Sequence, residues 1–368
     1  MDSPPVLLHI TTAAPWRMAL DAGSYIAPSL LGAEGFIHLS RPDQVHLPAN
    51  ALYAGRSALI LLVIDPARVT GEIRWEPGQP SDPESMRFPH LYGSLPVSAV
   101  TSVLPWRPGP EGFSPPTRLP HPEDHAARAA AFEPSLVQRR APFVRLLPGG
   151  FVLRDPRVRA SHEHNCLWLA GERGAAEIRD LADQHLAGLP FRRVVLDHAP
   201  PADLGWSIEE ERIMVLDLSG DDADEMSTGA DVTPVTTEVM DRLWRSQWRA
   251  ALPGVSESAI DDLVHREPLA NVPVRVVDLA VLDGGDPVSS AQLRIDGATA
   301  ALEAVMTRED HQGRGLARAV VADANARARA AGCDLLWLSA AADGWPRNWY
   351  ARLGFQDVGA RWVVTRAD

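Results

Sequence analysis

At 368 residues, with 45% hydrophobic and 23% charged residues, the chain is long enough for two or three domains, each with its own core. Its formal net charge of −13 argues against a generic binder of phosphate backbones. Two widely separated cysteines, Cys166 and Cys333, argue against a disulfide framework or a zinc site and for a reducing cytoplasm. All 35 basic residues are arginines, so no lysine side chain is available as a catalytic amine, a Schiff-base former or a self-acetylation site.

Apolar runs such as residues 58–64 are of strand length and too short to span a bilayer. The start, "MDSPPVLLHITT", lacks the basic flank and apolar region of a secretory signal; a cytoplasmic protein without membrane partners is the expectation. In chain order, periodicity predicts strands at 6–10, 36–38 and 58–64 and an amphipathic helix near 14–21. The Pro- and Gly-rich stretch 105–125 ends this first unit, 1–115, and leaves 116–130 as a linker. A middle unit, 131–220, offers helices around 132–138 and 174–187 and strands near 166–170, 193–197 and 212–217. After an acidic, non-periodic break over 218–234, the last unit, 231–368, opens with helices at 238–250 and 257–265. Strands at 274–282, 288–295 and 299–307 follow, then a helix to about 331, the buried strand "LLWLSA" and a short helix, "RNWYARLGF". The alternation gives an α/β fold class with mixed sheets.

Between the strand "ALEAVMT" and the long helix lies Gln312-Gly-Arg-Gly-Leu-Ala317. Glycines let a backbone approach a ligand closely, and a helix N-terminus adds its positive end, so such a turn suits a pyrophosphate. It is neither a Walker loop nor a full dinucleotide fingerprint, and by itself it reads equally well as a plain tight turn. Glu303, two residues before Val305, is expected to share a strand face with Val305 and Thr307, as a proton acceptor or as a solvated strand-end carboxylate. The pattern Gln-x-x-Gly-x-Ala after an apolar strand, followed by helix, strand and "YARLGF", resembles the Gcn5-related N-acetyltransferase (GNAT) family from about residue 231 to the end. The resemblance implies acetyl-CoA as acyl donor. Gln312, Gly313, Arg314, Gly315, Leu316 and Ala317 would hold its pyrophosphate, and the backbone of Val305, Met306 and Thr307 would bind its pantetheine and acyl carbonyl. Tyr350 matches the position that protonates the departing thiolate, and Glu303 would be the base. Asp343 stands where the family often has an asparagine.

The middle segments "SHEHNCLWLAG", "AAEIRDLADQHLAGLPFRRVVLDH" and "LGWSIEEERIMVL" look like a degenerate GNAT half of a tandem member, without the glycine turn. That implies no coenzyme site there, and a role in extending the sheet or walling the acceptor cleft. His162, His164 and His185 lack a carboxylate or cysteine partner at ligand spacing, so no metal is expected.

Near the N-terminus, His9 and Thr11 end one apolar strand and His38 and Ser40 end another, close to glycines, as a ligand cleft needs; singly, each histidine reads as a structural one. "LLHITT", "GSYIAPSLLGAEGFIHLS" and "FPHLYGSLPVSAV" resemble the domain-of-unknown-function family 952 over 5–105, grouped with the ADP-ribosyltransferase-like fold. By that resemblance His9 and Thr11 would hold the nicotinamide ribose or amide of NAD, Tyr25 or His38 would flank the nicotinamide, and Glu76 would orient a nucleophile. The expectation is acetyl transfer from acetyl-CoA to a primary amine of a small molecule or peptide. Alternatives are NAD-dependent ADP-ribosyl or phosphate transfer through the N-terminal unit, a non-catalytic coenzyme A-binding protein, and an aminoacyl-tRNA-dependent variant of the tandem fold. The acidic charge disfavours nucleic acid as a partner and is compatible with cationic acceptors such as polyamines or aminoglycosides. Oligomeric state is not legible.

Overall fold

The computed structural model describes residues 6–32, 34–78, 86–220 and 229–367. The N-terminal unit runs β1 (Leu7–Thr12), α1 (Ala13–Ala22), β2 (Ser24–Tyr25), α2 (Pro28–Leu31), β3 (Ile37–His38), α3 (His46–Leu52), β4 (Leu59–Ile64), β5 (Glu72–Pro77), β6 (Arg87–Tyr92), β7 (Leu95–Pro96) and β8 (Val100–Trp106). Its strands form small sheets ordered β1-β4-β8, β3-β6-β5 and β2-β7. All six residues of "LILLVI" are buried, because β4 is paired on both edges and covered on both faces. Trp16 and Leu20 of α1 pack with Leu7 of β1, with Ile60, Leu62 and Ile64 of β4, and with Leu91 of β6 in this unit's core.

The linker expected over 116–130 is shorter than the sequence suggested. Helix α4 (His125–Arg140) starts inside it, capped by Asp124, whose Oδ1 accepts from Ala127 N at 2.9 Å. Arg128 is fully buried there, a position the Pro-rich context did not announce.

The middle unit continues with β9 (Phe143–Leu147), β10 (Gly150–Arg154), β11 (Leu167–Leu169), α5 (Ala175–His185), β12 (Phe191–Leu196) and β13 (Ser207–Asp217). The last contributes β14 (Thr233–Val235), α6 (Thr237–Ala251), α7 (Glu257–His265), β15 (Arg275–Asp283), β16 (Asp286–Asp296), β17 (Thr299–Thr307), α8 (Leu316–Ala330), β18 (Leu335–Ala341), α9 (Trp345–Arg352) and β19 (Gln356–Ala367). The two units share one eleven-stranded sheet, ordered β14-β15-β16-β17-β18-β13-β19-β12-β11-β10-β9. Strand β13 of the middle unit lies between β18 and β19, and β19 in turn lies between β13 and β12. Neither unit closes its sheet without the other.

Strand alternation divides the helices between two faces. Leu302, Leu338 and Met214 pack under α8 and α9, and Val194, Leu196 and Val364 under α5. On the opposite face Ala301, Trp337, Ile213 and Val215 pack against Phe132 and Leu136 of α4. Met240, Leu243 and Trp244 of α6 pack with Ile260 and Val264 of α7 over Ala280.

The N-terminal unit is docked on this sheet by buried polar contacts. Trp16 Nε1 donates to Asp296 Oδ1 at 2.7 Å, and Arg139 pairs with the same carboxylate. Ala298 N donates to Val100 O at 2.7 Å, and Thr299 Oγ1 to Thr101 O at 2.8 Å. A Cβ at Gly297, where φ is +77°, would come within 2.2 Å of Val100 O, so the close approach requires glycine. Arg68 and Arg128 converge on Asp334. Burial alone would raise the Asp334 carboxyl, but hydrogen bonds from Arg128 and Arg68 outweigh it and hold it below its ordinary value.

Asp334→Ala would strand the buried Arg128 cation, so it is expected to destabilise the fold by about 3–5 kcal/mol, read by urea unfolding. Because the folded-state carboxyl titrates lower than the ordinary 3.8, the wild-type advantage over the variant is present above that value and shrinks as pH falls below it. An advantage that grows on acidification would contradict the assignment.

Candidate active site

The site begins where two strands part. Parallel pairing of β17 with β18 covers Thr299↔Leu335, Ala300↔Leu336 and Ala301↔Trp337 and then stops. Strand β17 continues to Thr307 against β16, with Ser289 opposite Thr307, while β18 continues to Ala341 against β13, with Glu211 opposite it. A register shift in the β16–β17 ladder, where Ser290 faces Met306 but Gln292 faces Glu303, marks a bulge. At the bulge Ala304 takes φ +51°, the one positive φ on a non-glycine among the described residues. The bulge turns the strand away from β18. Beyond Ala301 the edge of β17 facing the gap has no strand partner, and Val305, Met306 and Thr307 lie along it.

The bulge also corrects the expected pairing of faces. Val305 packs into the core under α8, with Leu302, whereas Glu303 lines the opposite face together with Met306. One extra residue in the strand exchanges the faces of everything beyond it, so period two does not carry from Glu303 to Val305.

From the end of β17, Arg308 N donates to Val288 O at 2.9 Å, and one 3-10 turn, Glu309–His311, leads to the glycines. Gly313 and Gly315 take φ +76° and +77°, and the space a Cβ would enter at either is open. Gln312 Nε2 reaches Thr307 O at 3.4 Å, and Arg314 Nη2 donates to Asp310 O at 2.9 Å. Gly315 caps α8 without a side-chain bond, and the first turn holds no acid. Ala319 N donates to Gly315 O at 3.1 Å, so the amides of Leu316 and Ala317 precede the first intrahelical bond and point out of the terminus. The corresponding terminus of α5 differs in charge: Gly174 caps it without a side-chain bond, and its first turn holds an acid. Gly171 N donates to Asp197 Oδ1 at 2.8 Å, and Glu177 in the first turn pairs with Arg173.

On the α4–α6 face of the sheet, the parting opens into a cavity of about 300 Å³. Its floor is built from residues of neighbouring strands: Arg294 of β16, Glu303 of β17, Ser339 of β18, Glu211 of β13, Arg361 and Val363 of β19, and Arg193 and Val195 of β12. Its walls are Glu133 and Val137 of α4, Trp244, Gln247 and Trp248 of α6, and Glu163, Cys166, Trp168, Arg266 and Glu267. Several charges are paired off: Arg361 Nε with Glu211 at 2.6 Å, Arg266 Nε with Glu267 at 3.1 Å, and Arg294 Nε with the side-chain carbonyl of Gln292 at 2.6 Å. Burial pushes the Glu303 carboxyl up to about 7, against the pull of Arg294 and with the help of Glu133. Tyr350 of α9 is buried edge-on to Phe355, with ring centroids 5.6 Å apart. Burial, reinforced by the charge of Glu303, raises its phenol well above the ordinary range, so it is a neutral donor at pH 7. Asp343 is exposed.

The histidines of the middle unit do not converge. His162 stacks on Phe191 at 3.6 Å, and His164 Nδ1 meets Ser161 Oγ at 2.9 Å. Among the described residues no group of His, Cys, Asp and Glu is arranged to hold a metal ion.

In the N-terminal unit the structure brings His9, Thr11, Tyr25, His38 and Glu76 into two linked groups. The inner group is buried: the Tyr25 hydroxyl meets Thr11 Oγ1 at 2.9 Å and His9 Nε2 at 3.1 Å, while His9 Nδ1 donates to His38 O at 2.7 Å. Burial lowers His9 to about 4, so it is neutral. These three side chains satisfy one another, and a ligand reaching His9 or Thr11 would have to displace Tyr25. The outer group is more open. Glu76 accepts from Tyr92 Oη at 2.9 Å and from His90 Nδ1 at 3.1 Å, Phe36 stacks on His90 at 4.0 Å, and His38 meets His90 edge-on at 5.2 Å. His90, Tyr92 and Phe36 were not singled out in the sequence; the alternation of His90 and Tyr92 in "RFPHLY" was the available signal.

Residues 239–355 match the acetyltransferase (GNAT) family, and residues 10–103 match the protein family of unknown function DUF952. No curated protein matches the chain. A functionally unknown conserved protein from Staphylococcus epidermidis shares the fold: it is 14% identical, with a TM-score of 0.51, over 61% of this chain and 94% of its own. A GCN5-related N-acetyltransferase from Kribbella flavida is 17% identical over 66% of this chain and 95% of its own, with a TM-score of 0.45. A Caulobacter crescentus protein is 30% identical over 30% of this chain and 92% of its own, with a TM-score of 0.26. No helix among the described residues is long and apolar enough to cross a membrane. The chain thus carries a GNAT acetyltransferase domain over residues 239–355 and a DUF952 domain over residues 10–103.

Proposed function

We propose that the protein transfers the acetyl group of acetyl-CoA to a primary amine of a small molecule or peptide. The observation that carries this reading is the continuity of three features: the open amides at the start of α8, the unpaired edge of β17, and a cavity holding Glu303. The glycine turn fits a pyrophosphate, because a Cβ-free, acid-free helix terminus offers donors to negative charge. Gln312, Gly313, Arg314, Gly315, Leu316 and Ala317 would hold it, and Val305, Met306 and Thr307 would bind the pantetheine amides as a free sheet edge binds an added strand. Acetyl-CoA supplies the activated thioester.

The remaining chemistry belongs to the chain. Glu303, with its carboxyl near 7, takes a proton from the incoming ammonium. The free amides of the β17 edge face the position where carbonyl oxygen gains charge, a preorganised electrostatic contribution. As the N–C bond forms and the C–S bond breaks, neutral Tyr350 protonates the leaving thiolate, the second proton given up by the nitrogen returns to the Tyr350 phenolate, and the proton taken by Glu303 passes to solvent. One proton is released overall.

A second reading, NAD-dependent chemistry at the N-terminal unit, is favoured by one observation, the open grouping of Glu76, His90, Tyr92 and His38. Free nicotinamide after incubation with NAD tests it.

Calorimetric titration with acetyl-CoA tests the first reading directly: Gly315→Asp, which puts a carboxylate and a strained φ into the turn, is expected to abolish binding. Binding unchanged in that variant would move the coenzyme elsewhere. Tyr350→Phe is expected to lower kcat by roughly 10²–10⁴-fold with acetyl-CoA affinity nearly unchanged; equal losses in both would remove the acid role. The base must be deprotonated, so kcat/KM is expected to rise through about pH 7 and to lose that limb in Glu303→Gln. A rise retained in the variant would exclude Glu303.

A further inference from the structure

Two charged groups in the cavity are not used by the chemistry above. Glu133 of α4 has a buried Oε2 with no hydrogen-bond partner among the described residues, and Arg193 of β12 has a buried Nε in the same condition. Their neighbours differ. Glu133 lines the cavity from α4, and its charge adds to the burial that raises Glu303. Arg193 is on β12, four strands along the sheet from β17 and Glu303; there Arg266, against the opposing effect of burial, and then Arg193 hold the Glu163 carboxyl far below its ordinary value. Glu163 lies 3.5 Å from Arg266 and does not neutralise Arg193 by direct contact among the described ion pairs.

Both side chains are half-buried, and a buried polar atom left without a partner is costly, so a ligand that supplies the partner recovers that cost. The cavity therefore asks for one positive and one negative group on the same molecule. Building on the acetyl-transfer reading, we propose that the acceptor is a zwitterionic aminocarboxylate whose two charges are held apart by a chain that reaches from β17 toward β12: Glu133 receives its ammonium beside Glu303, and Arg193 receives its carboxylate. Trp244, Trp248 and Met306 leave apolar wall for the part of the molecule between or beside the charges. A polyamine or aminoglycoside, which the net charge alone would suggest, would set a second ammonium against Arg193. The guanidinium is suited to the carboxylate because its fixed donors match two carboxylate oxygens.

The test compares matched pairs with and without the acid: 6-aminohexanoate against hexylamine, and triglycine against triglycinamide. Acetyl-CoA-dependent thiol release gives KM, and calorimetry with the protein alone gives binding. At least one aminocarboxylate is expected to exceed its matched amine by about tenfold or more. Arg193→Leu is expected to erase that ratio by weakening the aminocarboxylate, Arg193→Lys to restore part of it, and Glu133→Gln to weaken both members of a pair. Equal values for both pairs in the wild type overturn the proposal, as does a ratio that survives Arg193→Leu. Should Arg193→Leu fail to fold, the Arg193→Lys ratio decides, an undiminished one counting against the proposal. Arg193-dependent binding without turnover would sustain the aminocarboxylate site and sink acetyl transfer. Turnover without acid preference would do the reverse.

Discussion

Strand β18 cannot follow β17 because each is held on its outer edge by another partner. Along its whole length β18 is paired with β13, from Asp217↔Leu335 to Glu211↔Ala341. Strand β17 stays with β16 as far as Thr307, through a bulge that Ala304 takes up at φ +51°. Backbone groups rarely go without partners, so a ladder that is interrupted inside a sheet is an exceptional place. Here the interruption opens the mouth of the cavity and frees one strand edge beside it. The glycine turn at the end of β17, Glu303 at the bulge and Tyr350 on the far side all take their positions from that parting.

The partner that holds β18 back comes from the middle unit, which makes that unit a structural condition for the site. It also supplies part of the cavity itself. Strand β12 brings Arg193 and Val195 to the floor, and β11 and the segment before it bring Trp168, Cys166 and Glu163 to the wall. The first turn of its own helix α5 carries an acid, Glu177, which pairs with Arg173. An acid in that position opposes a second anion, whereas α8 keeps its first turn free of acids.

The N-terminal unit reaches the same region through α4. One side of this helix touches β8, where Ser135 donates to Val103 O, and the same side sends Arg128 and Arg139 to Asp334 and Asp296. Glu133, between these anchors, faces the cavity. The seam is therefore buried, charged and satisfied by specific partners, and it fixes the α4 wall of the cavity as well as the placement of the N-terminal unit.

Local physics was legible in the residues. The unbroken apolar run of β4 announced a strand covered on both faces, and the glycines at 313 and 315 announced a turn with positive φ. Hydrophobic periodicity also located the helices from α5 to α9. What the residues did not show were features whose cause lies far away in the chain. The bulge at Ala304 comes from the pairing of β17 with β16, and it sets Val305 on the face opposite Glu303, where simple alternation had joined them. Strand β9 exposes much of its surface and lacks a clean alternation, and β19, continuous from Gln356 to Ala367, carries Gly359 within its apolar pattern, so both escaped a reading based on pattern. The start of α4 was hidden in Pro-rich sequence because Arg128, a charge that pattern places in solvent, is buried by Asp334, 206 positions later. The insertion of β13 beside β18, and with it the meeting of Glu133, Arg193 and Glu303 around one cavity, depends on long-range strand pairing. Such pairing is chosen by the competition of whole strands for edges, and no local stretch of sequence contains that competition.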